Sequence, residues 1–139
     1  MGSVVLDTSV VLALFDPADA LHACSVQAAR RRRDAGDGFL LPATVLAEVL
    51  VGAARRSEEE VDTRRRLTTA AFGSPYPVDG AVAVAAALRR ARHQSLRLPD
   101  ALVLATADVV NAETILTGDR RWKDFDSRVE VVKMANLTG

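Results

Sequence analysis

The chain has 139 residues, a formal net charge of +0, and 49% hydrophobic, 26% charged and only 4% aromatic residues. That length supports one domain with one core, and the balance is that of a folded globular protein. So few aromatic rings argue against a module that binds RNA mainly by stacking bases, and a single cysteine, Cys24, excludes an internal disulfide or a zinc site built on several thiolates.

Residues 1–139 read as a single domain. Ser3 to Leu6 is a short β-branched run that predicts a buried strand ending at Asp7. Thr8 to Phe15 reads as a short helix, broken at Asp16-Pro17. Ala18 to Ala35 reads as a helix with Leu21, Cys24, Ala28 and Arg31 on one stripe, ended by Gly36 and Gly38. Phe39 to Leu41 is a second strand, and Pro42 opens a helix to about Arg56. Ser57 with Glu60 has the spacing of a capping box for a helix to Phe72. Ser74-Pro75-Tyr76-Pro77 is a break with a third strand near it. Asp79 caps a helix over Val82 to Gln94, and Leu98-Pro99-Asp100 starts another to about Asn111. Thr114 to Thr117 is a fourth strand, Gly118-Asp119 a turn, and Val129 to Val132 a fifth strand. Strands alternating with helices predict an α/β fold, an α/β/α sandwich on a mostly parallel five-stranded sheet.

Four acids stand in apolar surroundings. Asp7 ends the first strand, where ligands of open parallel sheets bind, and it also suits a helix cap. Glu48 is the only charge from Phe39 to Ala54, in mid-helix, where a carboxylate caps nothing and costs several kcal/mol if dry and unpaired. Asp100 is the only acid from Leu98 to Ala107, at a helix start where the macrodipole also favours it. Asp119 follows the fourth strand in a Gly-Asp turn, with the Thr117 hydroxyl two residues before it. Asp108, two turns after Asp100, reads as solvated surface, and Asp124 is a weaker candidate. A parallel sheet can gather Asp7, Glu48, Asp100 and Asp119 at one edge. Such a cluster of carboxylates repels itself unless cations lie between them, and hard oxygen ligands select Mg²⁺ or Mn²⁺. Two such ions, about 4 Å apart, activate a water and stabilise the leaving oxygen of a phosphodiester. Two bound divalent ions would leave the neutral chain near +4, which reconciles its composition with a polyanionic substrate.

The remaining candidates read as structural. His22 and His93 are helix-surface residues, Cys24 is a small core hydrophobe, and Trp122 and Phe125 pin the turn after Asp119. Arg30 to Arg33 is a helix end able to track phosphates, and Asp62 with Arg64 to Arg66 is an exposed helix face. The N-terminal segment lacks a basic run and contains Asp7, so it reads as a strand and not as a leader. No window reaches the roughly 18 apolar residues of a membrane helix, and a cytoplasmic location is expected.

The segments VVLDTSVVLALF, LPATVLAEVLVG, RLPDALVLATA and ILTGDRRW, in this order and spacing, resemble the PIN-domain ribonucleases, in particular the VapC-like toxins of bacterial toxin–antitoxin pairs. The resemblance implies metal-dependent RNA cleavage with Asp7, Glu48, Asp100 and Asp119 as the acidic, metal-holding quartet. It also implies that Ser9 and Thr117 support the first and last acids. It further implies a homodimer, a VapB-like antitoxin partner, and DNA contact only through that antitoxin. Some relatives carry a further acid near the last one, where Arg120 and Arg121 stand here. Other readings are a haloacid-dehalogenase-like phosphatase, a receiver domain, and a catalytically silent PIN scaffold that binds a partner. The phosphatase needs a second Asp where Ser9 stands, and the receiver needs paired acids where Asp7 stands alone.

Overall fold

A computed structural model describes residues 2–134. The chain runs β1 (Ser3–Leu6), α1 (Thr8–Phe15), α2 (His22–Asp34), β2 (Gly38–Leu40), α3 (Ala43–Ala54), α4 (Glu58–Phe72), α5 (Gly80–Arg92), α6 (Leu98–Val110), β3 (Thr114–Thr117), a 3₁₀ helix (Arg120–Asp124) and β4 (Val129–Val131). Every strand pairing is parallel, in the order β2-β1-β3-β4. Successive residues of a strand point to opposite faces. Val4, Val5 and Leu6 are all fully buried, so β1 is covered on both sides, as the α/β/α sandwich requires.

The sheet has four strands among the described residues, not five. The expected third strand reduces to one parallel bridge, Tyr76 with Pro42, closed by Ala43 N to Tyr76 O (2.8 Å) and Tyr76 N to Leu41 O (2.7 Å). The partner segment turns into α3 at Ala43, directly after Pro42, so the ladder stops there. The second helix begins at His22 and not at Ala18, because two aspartates fold the preceding residues into turns. Asp16 accepts from Ala18 N at 2.9 Å and Asp19 from Leu21 N at 2.8 Å.

The expected caps form: Ser57 Oγ accepts from Glu60 N at 3.1 Å, and Asp79 from Val82 N at 2.9 Å. The Glu60 carboxylate pairs with Arg56. Helix α6 lies against β1, β3 and α5 and buries Ala101 and every residue from Val103 to Ala107. Trp122, 1% exposed, anchors the 3₁₀ helix in the core, and Phe125 meets His93 edge-on at 5.1 Å. Cys24 packs against the core, while His22 Nδ1 lies 2.7 Å from the Ala13 carbonyl and ties α2 to α1.

Asp108 is not merely solvated. Arg89 of α5 grips both its oxygens (2.7 and 2.8 Å) and also reaches Asp126. Arg128 binds Asp126 (3.0 and 2.7 Å) and Asp108 (2.6 Å), and reaches the Ala107 and Ala112 carbonyls. This network joins α5, α6 and the segment between the 3₁₀ helix and β4. Burial opposes the charge of Asp126, but the hydrogen bonds from Arg128 and Arg89 outweigh it and hold its carboxyl at about 2.

A carboxyl depressed in the fold contributes stability above its unfolded value and loses that contribution as pH falls through the folded one. Asp126→Ala is therefore expected to cost about 2–3 kcal/mol at pH 7. The gap between wild type and variant should close between pH 4 and pH 2, measured by denaturant unfolding across that range.

Candidate functional site

The register of the central strands builds the site. Leu6 lies beside Leu116, and Asp7 N donates to the Leu116 carbonyl at 2.9 Å. The next residues, Asp7 and Thr117, therefore emerge together at the carboxyl ends of β1 and β3. From β1 the chain moves to β2 on one side and later to β3 on the other, so this edge is a topological switch point, where parallel sheets place ligands.

The Asp7 carboxylate is fully engaged. Thr8 N donates to Oδ1 at 2.8 Å, and Thr117 Oγ1 (2.7 Å) and Ser9 Oγ (3.1 Å) both donate to Oδ2. The two hydroxyls in turn accept from the next loop: Gly118 N reaches Ser9 Oγ at 2.9 Å, and Asp119 N reaches Thr117 Oγ1 at 3.1 Å. Asp7 thus caps α1 and also anchors the loop that carries Asp119. Gly118 is needed for its closeness, since a Cβ there would stand 2.7 Å from Leu21 Cδ1 and 3.3 Å from Ser9 Oγ.

Asp100 stands half-buried in the first turn of α6, and Glu48 projects from α3. Both lie close enough to Asp7 to act on it or be acted on by it. Burial raises the Asp7 carboxyl above its ordinary value, against three hydrogen bonds, and the charge of Asp100 raises it further. Asp100 is raised by burial and by Asp119, with Arg97 and Arg121 opposing. Glu48 is raised by partial burial and then by Asp7 and Asp100, with Arg97 opposing. Glu48 is nevertheless an exposed residue, so it does not bear the cost that a dry, unpaired carboxylate would. Its helix turns it to the mouth of the acidic cluster, where water still reaches it.

Asp119 differs from the other three. Its side chain accepts from Arg121 N at 3.0 Å, capping the 3₁₀ helix, and takes the Arg121 guanidinium on both oxygens at 3.1 and 2.7 Å. Those bonds to Arg121 hold its carboxyl below the ordinary value. Asp124 is exposed at the end of the 3₁₀ helix. The fold thus draws Asp7, Glu48, Asp100 and Asp119 into one electrostatically linked group, with Ser9 and Thr117 beneath it.

Among the described residues, no three His, Cys, Asp or Glu side chains already converge on a point as a preformed ion site would. Asp7 is held by hydroxyls and Asp119 by Arg121. The donor chemistry nonetheless fits hard divalent cations. The cluster holds only carboxylate and hydroxyl oxygens, and three of the carboxyls are raised partly by like charge, which a cation would relieve.

Sequence reasoning missed Gly118, Arg97 and Arg121 as parts of this site. The ILTGDRRW segment holds Gly118 and Arg121, but only the folded loop shows that Gly118 is crowded and that Arg121 turns back onto Asp119.

A model of the PIN domain matches residues 4–127 of the chain. Among curated proteins, none matches. Solved structures with the same fold include VapBC2 from Rickettsia felis bound to a DNA fragment from its promoter, 13% identical at TM-score 0.74 over 93% of this chain and 98% of that one. FitAcB from Neisseria gonorrhoeae is 23% identical at TM-score 0.70, over 94% and 96%. The Mycobacterium tuberculosis toxin VapC20, described as cleaving the sarcin-ricin loop, is 18% identical at TM-score 0.66, over 88% and 96%.

An acid whose carboxyl is raised in the fold costs stability that sets in as pH rises through its unfolded value and is complete above the folded one. Asp7→Asn is therefore expected to raise the thermal midpoint of the metal-free protein by about 3–5 °C at pH 7. The gain should shrink as pH falls toward 4. Thermal melts in EDTA at both pH values check this, and a midpoint difference that does not change with pH would contradict the assignment of repulsion and burial at Asp7.

Proposed function

The chain belongs to the PIN-domain family, and from that premise we propose that it is a metal-dependent endoribonuclease, the toxin of a toxin–antitoxin pair. One observation carries the reading. Asp7, Glu48 and Asp100 come from three separate elements, and each has its carboxyl raised by burial together with its acidic neighbours. Nothing in a purely structural role rewards gathering like charges at a sheet's switch point.

Asp7, Glu48, Asp100 and Asp119 would hold Mg²⁺ or Mn²⁺. Bound there, a pair of such ions supplies Lewis acidity to the attacking water and to the leaving oxygen of an RNA phosphodiester. The chain's own part is positional and electrostatic. Thr8 N, Ser9 and Thr117 fix the Asp7 carboxylate so that it does not rotate away from the cluster. Asp119 must exchange Arg121 for a cation. That exchange is cheap, because the Arg121 side chain is 74% exposed and such pairs contribute about 0–1 kcal/mol. Glu48, which water reaches, would accept a proton from the attacking water at a carboxylate oxygen. Attack by water leaves a 5′-phosphate and a 3′-hydroxyl.

The partner reading rests on the same features. Arg121 already places a guanidinium on one acid of the cluster, so an arginine from an antitoxin can do so for the others. Leu12 of α1 (42% exposed) and Val51 of α3 (45% exposed), on helices that pack together, offer apolar contacts to the arm that carries it. DNA contact would come only through that antitoxin. Val84 (62% exposed) and Leu88 (54% exposed), one turn apart on α5, support a homodimer. No helix among the described residues is long and apolar enough to cross a membrane, and we place the protein in the cytoplasm.

RNA cleavage is expected to require Mg²⁺ or Mn²⁺, to stop in EDTA, and to fall at least about 100-fold in Glu48→Gln and Asp100→Asn. Cleavage assays with end-group analysis check this, and activity in EDTA or cyclic phosphate ends would refute it. Expression of the chain alone should arrest bacterial growth, Asp7→Asn should abolish the arrest, and co-expression of the antitoxin should relieve it. Val84→Glu with Leu88→Glu should convert a dimer to a folded monomer, read by light scattering and circular dichroism.

A further inference from the structure

Next to the acidic cluster lies a second feature that the nuclease reading does not use. A cavity of about 70 Å³ opens beside Asp100, lined by Arg97, Asp100, Arg121, Trp122 and Phe125 together with Ser95 and Leu96. That is far below the roughly 300–1,000 Å³ of pockets that enclose whole small ligands. It admits one compact group and excludes a nucleobase with its sugar.

Two guanidiniums flank this space. Arg97 precedes α6, is exposed, and makes no side-chain capping bond and no ion pair among the described residues. It lies near enough to Glu48 and Asp100 to pull both carboxyls down, yet is bonded to neither. The loop that carries it is fixed. Arg90 Nε donates to the Leu96 carbonyl at 2.9 Å, Leu96 is 1% exposed, and His93 packs on Phe125. Arg97 is therefore a solvent-facing cation on an anchored loop. Arg121 stands on the 3₁₀ helix, anchored by buried Trp122, and its contact with Asp119 is the exposed, exchangeable pair described above. The apolar floor of Trp122 and Phe125 strengthens any charge-assisted bond made over it.

We propose that Arg97 and Arg121 form a clamp for a backbone phosphate of the RNA, the one neighbouring the phosphodiester that is cut. The inference rests on the nuclease reading for the identity of its ligand. The cleaved phosphate faces carboxylates and needs cations between. The neighbouring phosphate faces two guanidiniums, which pair with its oxygens bidentately. Both arginines are positioning residues. They hold the strand, and they do not touch the reacting atoms.

The test uses full-length protein with Asp7→Asn to prevent cleavage, and a short fluorescein-labelled single-stranded RNA of mixed sequence in Mg²⁺. Anisotropy titrations across a salt series give the slope of log K against log salt. Each of Arg97→Ala and Arg121→Ala should reduce that slope by about 0.7, and the pair by about twice that. Arg97→Lys should keep the slope and lose part of the affinity. Arg65→Ala, on the exposed face of α4 where it pairs with Asp62, should leave it unchanged. In the active background, Arg97→Ala should raise KM about tenfold with kcat changed less than about threefold. An unchanged slope in the double variant, no RNA binding at low salt, or a loss confined to kcat overturns the clamp. A wild-type chain that cuts no RNA while the slopes fall as stated overturns the nuclease reading and leaves the clamp as a nucleic-acid contact.

Discussion

Leu6 beside Leu116 is the pairing on which the site depends. It brings Asp7 and Thr117, 110 residues apart in sequence, into a 2.7 Å hydrogen bond at the end of the sheet. From that bond the rest follows outward. Thr117 receives Asp119 N, Ser9 receives Gly118 N, and the loop carrying the fourth acid is fixed by the group that holds the first. A slip of one residue in this register would turn Thr117 to the other face and dissolve the whole arrangement.

The charges around that edge are arranged in two zones. Burial raises the carboxyls of Asp7, Glu48 and Asp100, and acidic neighbours raise them further: Asp100 at Asp7, Asp7 and Asp100 at Glu48, and Asp119 at Asp100. Arg97 and Arg121 border the same group and oppose it at Asp100. A neutral chain therefore carries a strongly polarised surface, and the net charge of +0 says little about what it binds. Arg121 gives Asp119 a counter-charge within the cluster. It supplies a weak counter-charge that a stronger one can displace.

A second set of charges serves the fold. Arg89 and Arg128 with Asp108 and Asp126 lie away from the acidic cluster and satisfy one another with short, multiple bonds. Here the acids sit below their ordinary values, the opposite of Asp7 and Asp100. The direction of the shift separates acids with cationic partners from acids gathered against repulsion. Asp119 belongs to the cluster by position and to the paired acids by its contact with Arg121.

Local signals in the chain determined the helices, their caps at Ser57 and Asp79, the four strands that form, and the four acids standing in apolar runs, because these depend on side-chain periodicity and on neighbours a few residues away. The resemblance of the four motifs to PIN-domain ribonucleases was also legible there, and the PIN-domain match bears it out. Only the tertiary structure decided that a single bridge, Tyr76 with Pro42, forms where a fifth strand was expected, and that Asp108 enters an ion-pair network. It also decided that Glu48 meets water, and that Arg97 and Arg121 flank the acids. These outcomes depend on contacts between segments far apart in the chain. No local pattern encodes such contacts, since a hydroxyl or guanidinium has the same sequence signature whether it faces solvent or a carboxylate brought in from another strand.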